Sequence, residues 1–192
     1  MSFLWIAVFT VSLIVVLLFL AKDKLRGKAI PEALRPGQSL PLFNLTDEDG
    51  KPISSADLAG KPAVLLFVRG SWCPFCSRQV ANLTKNYKAI TDSGARLILV
   101  TPKPLETTRR VADFFEVEFE FWLDESLTVA RQLGLVQSSG VPKDFRDEYG
   151  EDTMWPTSLV VDAGGIIRLT ELSRFIADRP NPEKLLAAVN NL

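Results

Sequence analysis

The two cysteines of this 192-residue chain lie three positions apart, in the string Trp72-Cys73-Pro74-Phe75-Cys76. The apolar run Ala63 to Val68 precedes them and predicts a buried strand. Apolar residues at helical spacing follow and predict a helix from Pro74 to about Thr91. A thiol at a helix start faces unpaired backbone N–H groups and the positive end of the helix dipole, which both favour the thiolate. The sequence therefore predicts a reactive Cys73, with Cys76 one helical turn away as a second thiol for disulfide exchange.

Histidine is absent from the chain, and the formal net charge is −1. The absence excludes a Cys–His dyad, a Ser–His–Asp triad and a His-containing zinc site. Two cysteines cannot close a four-ligand zinc site within one chain, so we expect no resident metal and no other cofactor. A soft Cu(I) ion on both thiols and an inert structural disulfide stay as alternatives. The charge balance, without a basic stripe, argues against a nucleic-acid partner.

The N-terminal segment Phe3 to Ala21 carries no charged residue and is almost wholly apolar. At 1.5 Å per residue, a helix of this length spans about 28 Å, close to the thickness of the bilayer core. A cleaved signal peptide is the alternative, but the apolar run is long and Leu20-Ala21-Lys22 is a poor cleavage site. We expect a single-pass transmembrane anchor over residues 1–21 and a linker over residues 22–37.

The rest of the chain, residues 38–192, is expected to form one redox domain in which strands alternate with helices. Predicted strands cover Leu40–Leu45, Ala63–Val68, Leu97–Val100, Phe119–Trp122, Ser158–Asp162 and Ile166–Thr170, and predicted helices cover Ser54–Leu58, Pro74–Thr91, Leu105–Phe115, Ser126–Leu133 and Pro182–Leu192. Strand–helix alternation followed by a terminal hairpin predicts an α/β fold whose central mixed sheet of four or five strands is flanked by helices.

Four segments carry a similarity to a known family, namely Phe43–Gly50, Val64–Val68, Arg69–Cys76 and Trp155–Asp162. In these segments the chain resembles the thioredoxin-like superfamily, specifically its peroxiredoxin-like branch (redoxins, alkyl hydroperoxide reductases and thiol-specific antioxidants). The resemblance extends over about residues 38–191. It implies a thioredoxin-like fold and a redox-active thiol pair.

The resemblance also implies roles for individual residues. Cys73 corresponds to the nucleophilic and more exposed thiol, and Cys76 to the resolving thiol. Pro156 corresponds to the cis-proline that faces the redox pair in thioredoxin-like folds. Trp72 and Trp155 would then form apolar walls of the site.

Other groups are expected to support the thiolate, since the chain has no histidine. Arg69 lies four residues before Cys73 and Arg78 five residues after it, so either could lower the Cys73 pKa. Each of them could instead be a solvated surface arginine. Pro74 suits the first turn of the helix, where its missing N–H is no loss.

The chain departs from dedicated peroxiredoxins, which place Pro-x-x-x-Thr-x-x-Cys around the peroxide-attacking thiol. Leu66 and Gly70 occupy the proline and threonine positions here. These enzymes also place an arginine just before the penultimate strand, where this chain has Pro156. The departures favour disulfide exchange over efficient peroxide reduction.

Our leading hypothesis from sequence is therefore a membrane-anchored thiol–disulfide oxidoreductase acting on protein disulfides. The alternatives are a thiol peroxidase that reduces peroxides through Cys73, and a Cu(I)-binding assembly factor. Either enzyme needs a thiol partner that donates or accepts electrons. The resemblance implies a bacterial inner-membrane protein with a periplasmic domain, whereas Lys22, Lys24, Arg26 and Lys28 favour a cytoplasmic domain by the positive-inside rule.

Overall fold

The structure, a computed structural model, describes residues 5, 7–16, 28–84, 86–103, 119–175, 177–179 and 181–192. The strands are β1 (Asn44–Asp47), β2 (Pro52–Ser54), β3 (Ala63–Phe67), β4 (Arg96–Thr101), β5 (Glu120–Leu123), β6 (Val136–Gln137), β7 (Thr153–Met154), β8 (Thr157–Val161) and β9 (Ile167–Leu172). The α-helices with assigned bounds are α1 (Pro74–Thr84), α2 (Tyr87–Asp92), α3 (Thr128–Gln132), α4 (Arg146–Tyr149) and α5 (Pro182–Asn190). Short 3₁₀ helices cover Glu32–Leu34, Ser55–Leu58 and Lys143–Phe145.

Seven strands of the described chain form one mixed sheet in the order β2-β1-β5-β4-β3-β8-β9. Strand β3 is central, parallel to β4 and antiparallel to β8, and all five of its residues are buried. The near-continuous apolar run of β3 follows from this position, because a central strand is covered on both faces. The predicted α/β fold with a mixed central sheet is confirmed, and the sheet has more strands than the four or five expected.

Alternate residues of β3 point into two separate apolar cores. Leu65 and Phe67 contribute to a core that contains Trp122 and Met154. Val64 and Leu66 contribute to the core on the other face, which α1 and α5 cover. Both cysteines lie in this second core. The redox pair therefore forms part of the packed interior.

Several sequence predictions need correction at the level of single elements. The helix predicted from Pro74 to about Thr91 is two helices, α1 and α2, with residue 85 outside the described part. The strand predicted from Leu40 begins only at Asn44, because Pro41 offers no N–H for pairing and Leu42 lies exposed. The helix predicted over 105–115 lies outside the described residues.

The start of α3 also differs from the prediction, which began this helix at Ser126. Ser126 does not cap the helix; the buried carboxylate of Asp124 accepts hydrogen bonds from the backbone N–H groups of Val129 (3.1 Å) and Ala130 (2.7 Å). A carboxylate at this end of a helix satisfies unpaired donors and the helix dipole together.

The N-terminal part is described only in pieces. The predicted anchor from Phe3 to Ala21 lies partly outside the described residues; residues 7–16 are helical with exposed side chains. No helix in the described part of the chain has both the length and the apolarity needed to cross a bilayer. Nearer the domain, Leu34 is buried and its carbonyl accepts a hydrogen bond from the Thr170 hydroxyl. The packed part of the chain therefore begins before residue 38.

The position of Leu66 on β3 gives a test of this arrangement. We expect Leu66→Ala to lower the free energy of unfolding by about 2–5 kcal/mol, because the fully buried side chain leaves a cavity in the core that holds the thiols. Leu42→Ala is the matched control: Leu42 is 67% exposed, and its replacement should change stability by less than about 0.5 kcal/mol. Urea unfolding of both variants measures the difference. Equal losses in the two variants would contradict the assignment of β3 as the central strand.

Candidate active site

The start of α1 positions the first thiol, as the sequence predicted. The helix begins at Pro74, and the Cys73 carbonyl accepts the backbone N–H groups of Cys76 (3.0 Å) and Ser77 (3.2 Å). The backbone N–H of Cys76 also interacts with the Cys73 sulfur. Cys73 thus precedes the first turn, where backbone N–H groups without helical partners converge.

Both cysteines are free thiols, and both are buried. Cys73 is 1% exposed and Cys76 is 0% exposed. The resemblance implies that Cys73 is the more exposed of the two thiols, and here the two exposed fractions hardly differ. The reason is packing: the two sulfurs belong to the apolar core beneath α1, beside Val80 and Val68. A reagent must reach Cys73 through a narrow opening or a local movement of the surrounding segments.

Arg179 is the cation that contacts the pair. Its Nη2 lies 3.3 Å from the Cys76 sulfur and 3.6 Å from the Cys73 sulfur. The Nη1 group donates to the Asp178 carbonyl at 2.6 Å and to the Ser173 hydroxyl at 3.4 Å, which orients the guanidinium. Arg179 is separated from Cys73 by 106 positions in the chain. No local pattern marks it, so the sequence analysis missed it.

Arg69 lies on the other side of the pair and is 1% exposed. Its Nη2 donates to the Gly140 carbonyl at 2.6 Å, and its guanidinium carbon lies 4.5 Å from the Trp72 ring centre. Burial lowers the Arg69 pKa, whereas its interactions with the charges of both cysteines raise it. Arg69 is therefore not a solvated surface arginine, and its charge lowers the pKa of Cys73.

Trp72 lies beside Arg69. Its ring stacks on Phe145, with 6.3 Å between ring centroids and 26° between the planes. The indole Nε1 of Trp72 and the Nε and Nη1 groups of Arg69 are buried and have no hydrogen-bond partner among the described residues. The stacking and the cation–π contact hold both side chains over the loop that leads to Cys73.

The two thiols differ strongly in acidity. The hydrogen bond from Cys76 is the largest effect that lowers the pKa of Cys73, to about 5, and the charges of Arg179 and Arg69 add to it. Burial opposes these effects without reversing them. The pKa of Cys76 is raised, first because its hydrogen bond to Cys73 keeps it protonated and second because it is buried. At neutral pH the pair therefore contains a Cys73 thiolate and a Cys76 thiol.

Gly70 explains why the threonine of dedicated peroxiredoxins has no counterpart here. Its φ angle is +124°, and an added Cβ atom would lie 2.6 Å from the Tyr149 ring. Beside it, the hydroxyls of Ser71 and Tyr149 form a hydrogen bond of 2.7 Å. Only glycine fits this backbone conformation and this close approach. The segment with α4 is thereby attached to the loop that carries the thiols.

The cis bond predicted before Pro156 is wrong. The described residues contain no cis peptide bond, so the Trp155–Pro156 bond is trans, which is the ordinary state of X–Pro bonds. The Trp155 N–H bonds the Leu135 carbonyl, and the Pro156 carbonyl accepts the N–H of Ser173. The Arg78 guanidinium carbon lies 6.0 Å from the Phe75 ring centre, and Arg78 is not among the charges that lower the Cys73 pKa.

A thioredoxin-like mixed sheet with a thiol pair at the start of a helix defines the chain as a thiol redox protein. The model of the AhpC/TSA family matches residues 36–170, and the chain belongs to this family. This membership confirms the prediction of an enzyme that works through cysteine thiols.

The relatives include both kinds of thiol enzyme. The chain is 26% identical to chloroplastic peroxiredoxin Q of Sedum lineare over 84% of this chain and 81% of that protein. It is 30% identical to the thiol-disulfide oxidoreductase ResA of Halalkalibacterium halodurans, over 53% of this chain and 57% of that protein. The solved structure of the peroxidoxin BcpB of Mycobacterium tuberculosis shares the fold, with a TM-score of 0.65 and 20% identity, over 83% of this chain and 98% of that one.

The acidity of Cys73 can be measured by its alkylation rate as a function of pH. In the wild type we expect the rate with iodoacetamide to be half-maximal near pH 5, because the thiolate is the nucleophile, and to fall about tenfold per pH unit below that. Cys76→Ala should raise this midpoint most, since it removes the largest stabilising contact. Arg179→Gln should raise it less, and Arg131→Gln, which alters an exposed arginine on α3, should leave it unchanged. A wild-type midpoint near that of free cysteine would contradict the thiolate assignment.

Proposed function

We propose that this chain is a thiol peroxidase in which Cys73 attacks the peroxide and Cys76 resolves the product. The thiolate of Cys73, paired with Arg179 and with the Cys76 thiol, carries the proposal. Membership of the AhpC/TSA family and the similarity to a peroxiredoxin Q support it. Thiol–disulfide exchange is the leading hypothesis from sequence, and thiol peroxidase is its alternative. We adopt the thiol peroxidase.

The reaction proceeds in three steps. The Cys73 thiolate attacks one peroxide oxygen, the O–O bond breaks, and the leaving alkoxide or hydroxide takes a proton. The resulting sulfenic acid condenses with the Cys76 thiol, which forms the disulfide and releases water. A thiol partner then attacks the disulfide and, with a second thiol, restores both cysteines while it is itself oxidised to a disulfide. Cys76 lies at the right separation, since CxxC residues are one helical turn apart.

Arg179 supplies a group that the sequence analysis considered missing. Dedicated peroxiredoxins carry an arginine at the position of Pro156, and here a guanidinium approaches from the segment after β9. A cation next to the sulfur stabilises the thiolate and the negative charge that develops on the leaving oxygen. The absence of an arginine at position 156 therefore does not argue against peroxide chemistry.

Peroxide consumption by the full chain tests the proposal. We expect stoichiometric reduction of hydrogen peroxide in a single turnover, complete loss in Cys73→Ser, and an initial oxidation step that persists in Cys76→Ser because only the resolving thiol is removed. Rapid mixing with mass analysis of Cys73 measures sulfenic acid and disulfide separately. A peroxide rate no faster than that of a free thiol of the same pKa would refute the function.

Disulfide exchange is the second candidate, favoured by the Cys-Pro-Phe-Cys string and by the similarity to ResA over half of the chain. The same thiolate would attack a protein disulfide, and Cys76 would release the mixed disulfide. Competition of peroxide and a disulfide substrate for the reduced protein separates the two reactions. Preferential consumption of the disulfide would establish this candidate in place of the peroxidase.

Copper binding receives less support. The guanidinium charges of Arg179 and Arg69 act on the thiol pair and repel a cation there. We therefore do not adopt the Cu(I) assembly factor as a function.

The N-terminal segment bears on where the enzyme is located. We propose that the uncharged apolar segment from Phe3 to Ala21 attaches it to a bacterial inner membrane, with the redox domain in the periplasm. The basic residues at positions 22, 24, 26 and 28 favour the opposite orientation, with the redox domain in the cytoplasm. The orientation of the chain in the membrane is therefore the property to measure.

A reporter fused after Leu192 tests location and orientation together. We expect the full chain in the membrane fraction and alkaline phosphatase activity from the fusion, since this reporter needs an oxidising compartment to form its disulfides. A chain lacking residues 1–21 is the control and should leave the membrane fraction. Activity only from a cytoplasmic reporter would reverse the orientation, and recovery of the full chain in the soluble fraction would refute the anchor.

A further inference from the structure

A small cleft lies beside the thiol pair, between the first turns of α1 and the segment that follows β9. Its volume is about 120 Å³, enough for a small functional group. It is lined by Phe75, Arg78, Gln79 and Asn82 on one side and by Arg179 and Pro182 on the other.

The charge of the cleft is positive. Arg78 is exposed, rests on the Phe75 ring and forms no ion pair with another residue that the structure describes. None of the described residues that line the cleft is acidic. Two carboxylates are adjacent in the chain to lining residues, and both have partners. Asp178 accepts hydrogen bonds from the backbone N–H (2.9 Å) and the Nε (3.0 Å) of Arg174, and Glu183 accepts one from the Nδ2 of Asn181 (3.3 Å). The cleft therefore suits a small anion.

The other residues that line the cleft indicate the chemical type of the anion. Guanidinium groups bind carboxylates through paired hydrogen bonds, and the side-chain amide of Asn82 can add another donor. The Phe75 ring and Pro182 offer an apolar surface for a short carbon chain. The buried Gln79 amide donates its Nε2 to the Ser158 hydroxyl at 3.3 Å, and its Oε1, an acceptor, has no partner among the described residues, so a hydrogen-bond donor on the same small molecule would satisfy it. The combination fits a carboxylate attached to a few carbon atoms.

Arg179 connects this cleft to the reacting sulfur. The same guanidinium lines the cleft and places its Nη2 within 3.6 Å of Cys73 and 3.3 Å of Cys76. A carboxylate held in the cleft by Arg78 would thus share the cleft with the guanidinium that contacts both thiols. A molecule with a carboxylate and a reactive group a few bonds apart can reach both places at once.

We propose that the cleft binds the carboxylate of the small molecule that exchanges electrons with Cys73, with Arg78 as its recognition residue. This inference rests on the proposed function, and the redox steps at Cys73 and Cys76 are the ones described there. The carboxylate belongs either to a hydroperoxide that oxidises Cys73 or to a thiol that reduces the disulfide. Carboxylate recognition is common to the two sources.

Alkylation tests the cleft without any peroxide turnover. Iodoacetate and iodoacetamide form the same C–S bond with the thiolate and release iodide, but only iodoacetate carries a carboxylate. We expect Arg78→Gln to lower the ratio of iodoacetate to iodoacetamide rates at Cys73 by about fivefold, as for the loss of one exposed ion pair. Arg131→Gln is the control and should keep the wild-type ratio. An unchanged ratio in Arg78→Gln, or an equal drop in Arg131→Gln, would overturn the proposal.

Matched substrates then identify the source of the carboxylate. Peroxysuccinic acid is compared with peracetic acid in oxidation of the reduced protein, and mercaptoacetate with 2-mercaptoethanol in reduction of the disulfide form. An Arg78-dependent preference for the carboxylate in oxidation identifies a hydroperoxide, and one in reduction identifies a thiol. A preference in neither step overturns the proposal. If peroxides fail to react but the alkylation ratio still depends on Arg78, the peroxidase function fails while the cleft stands.

Discussion

A single negative charge held inside an apolar core organises this active site. The Cys73 thiolate lies beneath α1, where burial alone would keep the thiol protonated. The proton of Cys76 and the guanidinium of Arg179 reverse that preference. An unpaired charge at this depth would be strongly unfavourable. The Cys73 thiolate, the Cys76 thiol and the Arg179 guanidinium therefore form one unit, in which each group lowers the cost of burying the others.

This unit is assembled from separate parts of the sequence by the sheet. Strand β3 leads into the loop with Arg69 and the cysteines, whereas β9 leads into the segment with Arg179. Strand β8 lies between them and pairs with both. The Gly140 carbonyl, in the segment between β6 and β7, accepts a hydrogen bond from Arg69. The family scaffold thus carries a different set of charged neighbours from the one that defines dedicated peroxiredoxins.

The sequence predicted the features that depend on local pattern. The apolar run of β3 and the start of α1 at Pro74 follow from residues within about fifteen positions, and so does the Cys76 hydrogen bond, which is the largest effect that lowers the Cys73 pKa. The sequence did not predict the features that depend on contacts between residues far apart in the chain. An arginine at position 179 has no periodicity or motif that distinguishes it from a surface residue. Asp124 rather than Ser126 caps α3 because of where β5 ends, and the Pro156 bond is trans although the family suggested cis.

The remote origin of Arg179 has a consequence for the life of the polypeptide before it is complete. Ribosomes add residues in order, so the cysteines are made more than a hundred residues before the arginine that activates them. Until the last strand has joined the sheet and its following segment has closed over α1, the thiols lack one of the charges that sharpen their reactivity. The thiols therefore reach their full reactivity only in the complete, folded chain. A nascent chain is less readily oxidised than it would be if a residue next to the cysteines supplied this charge.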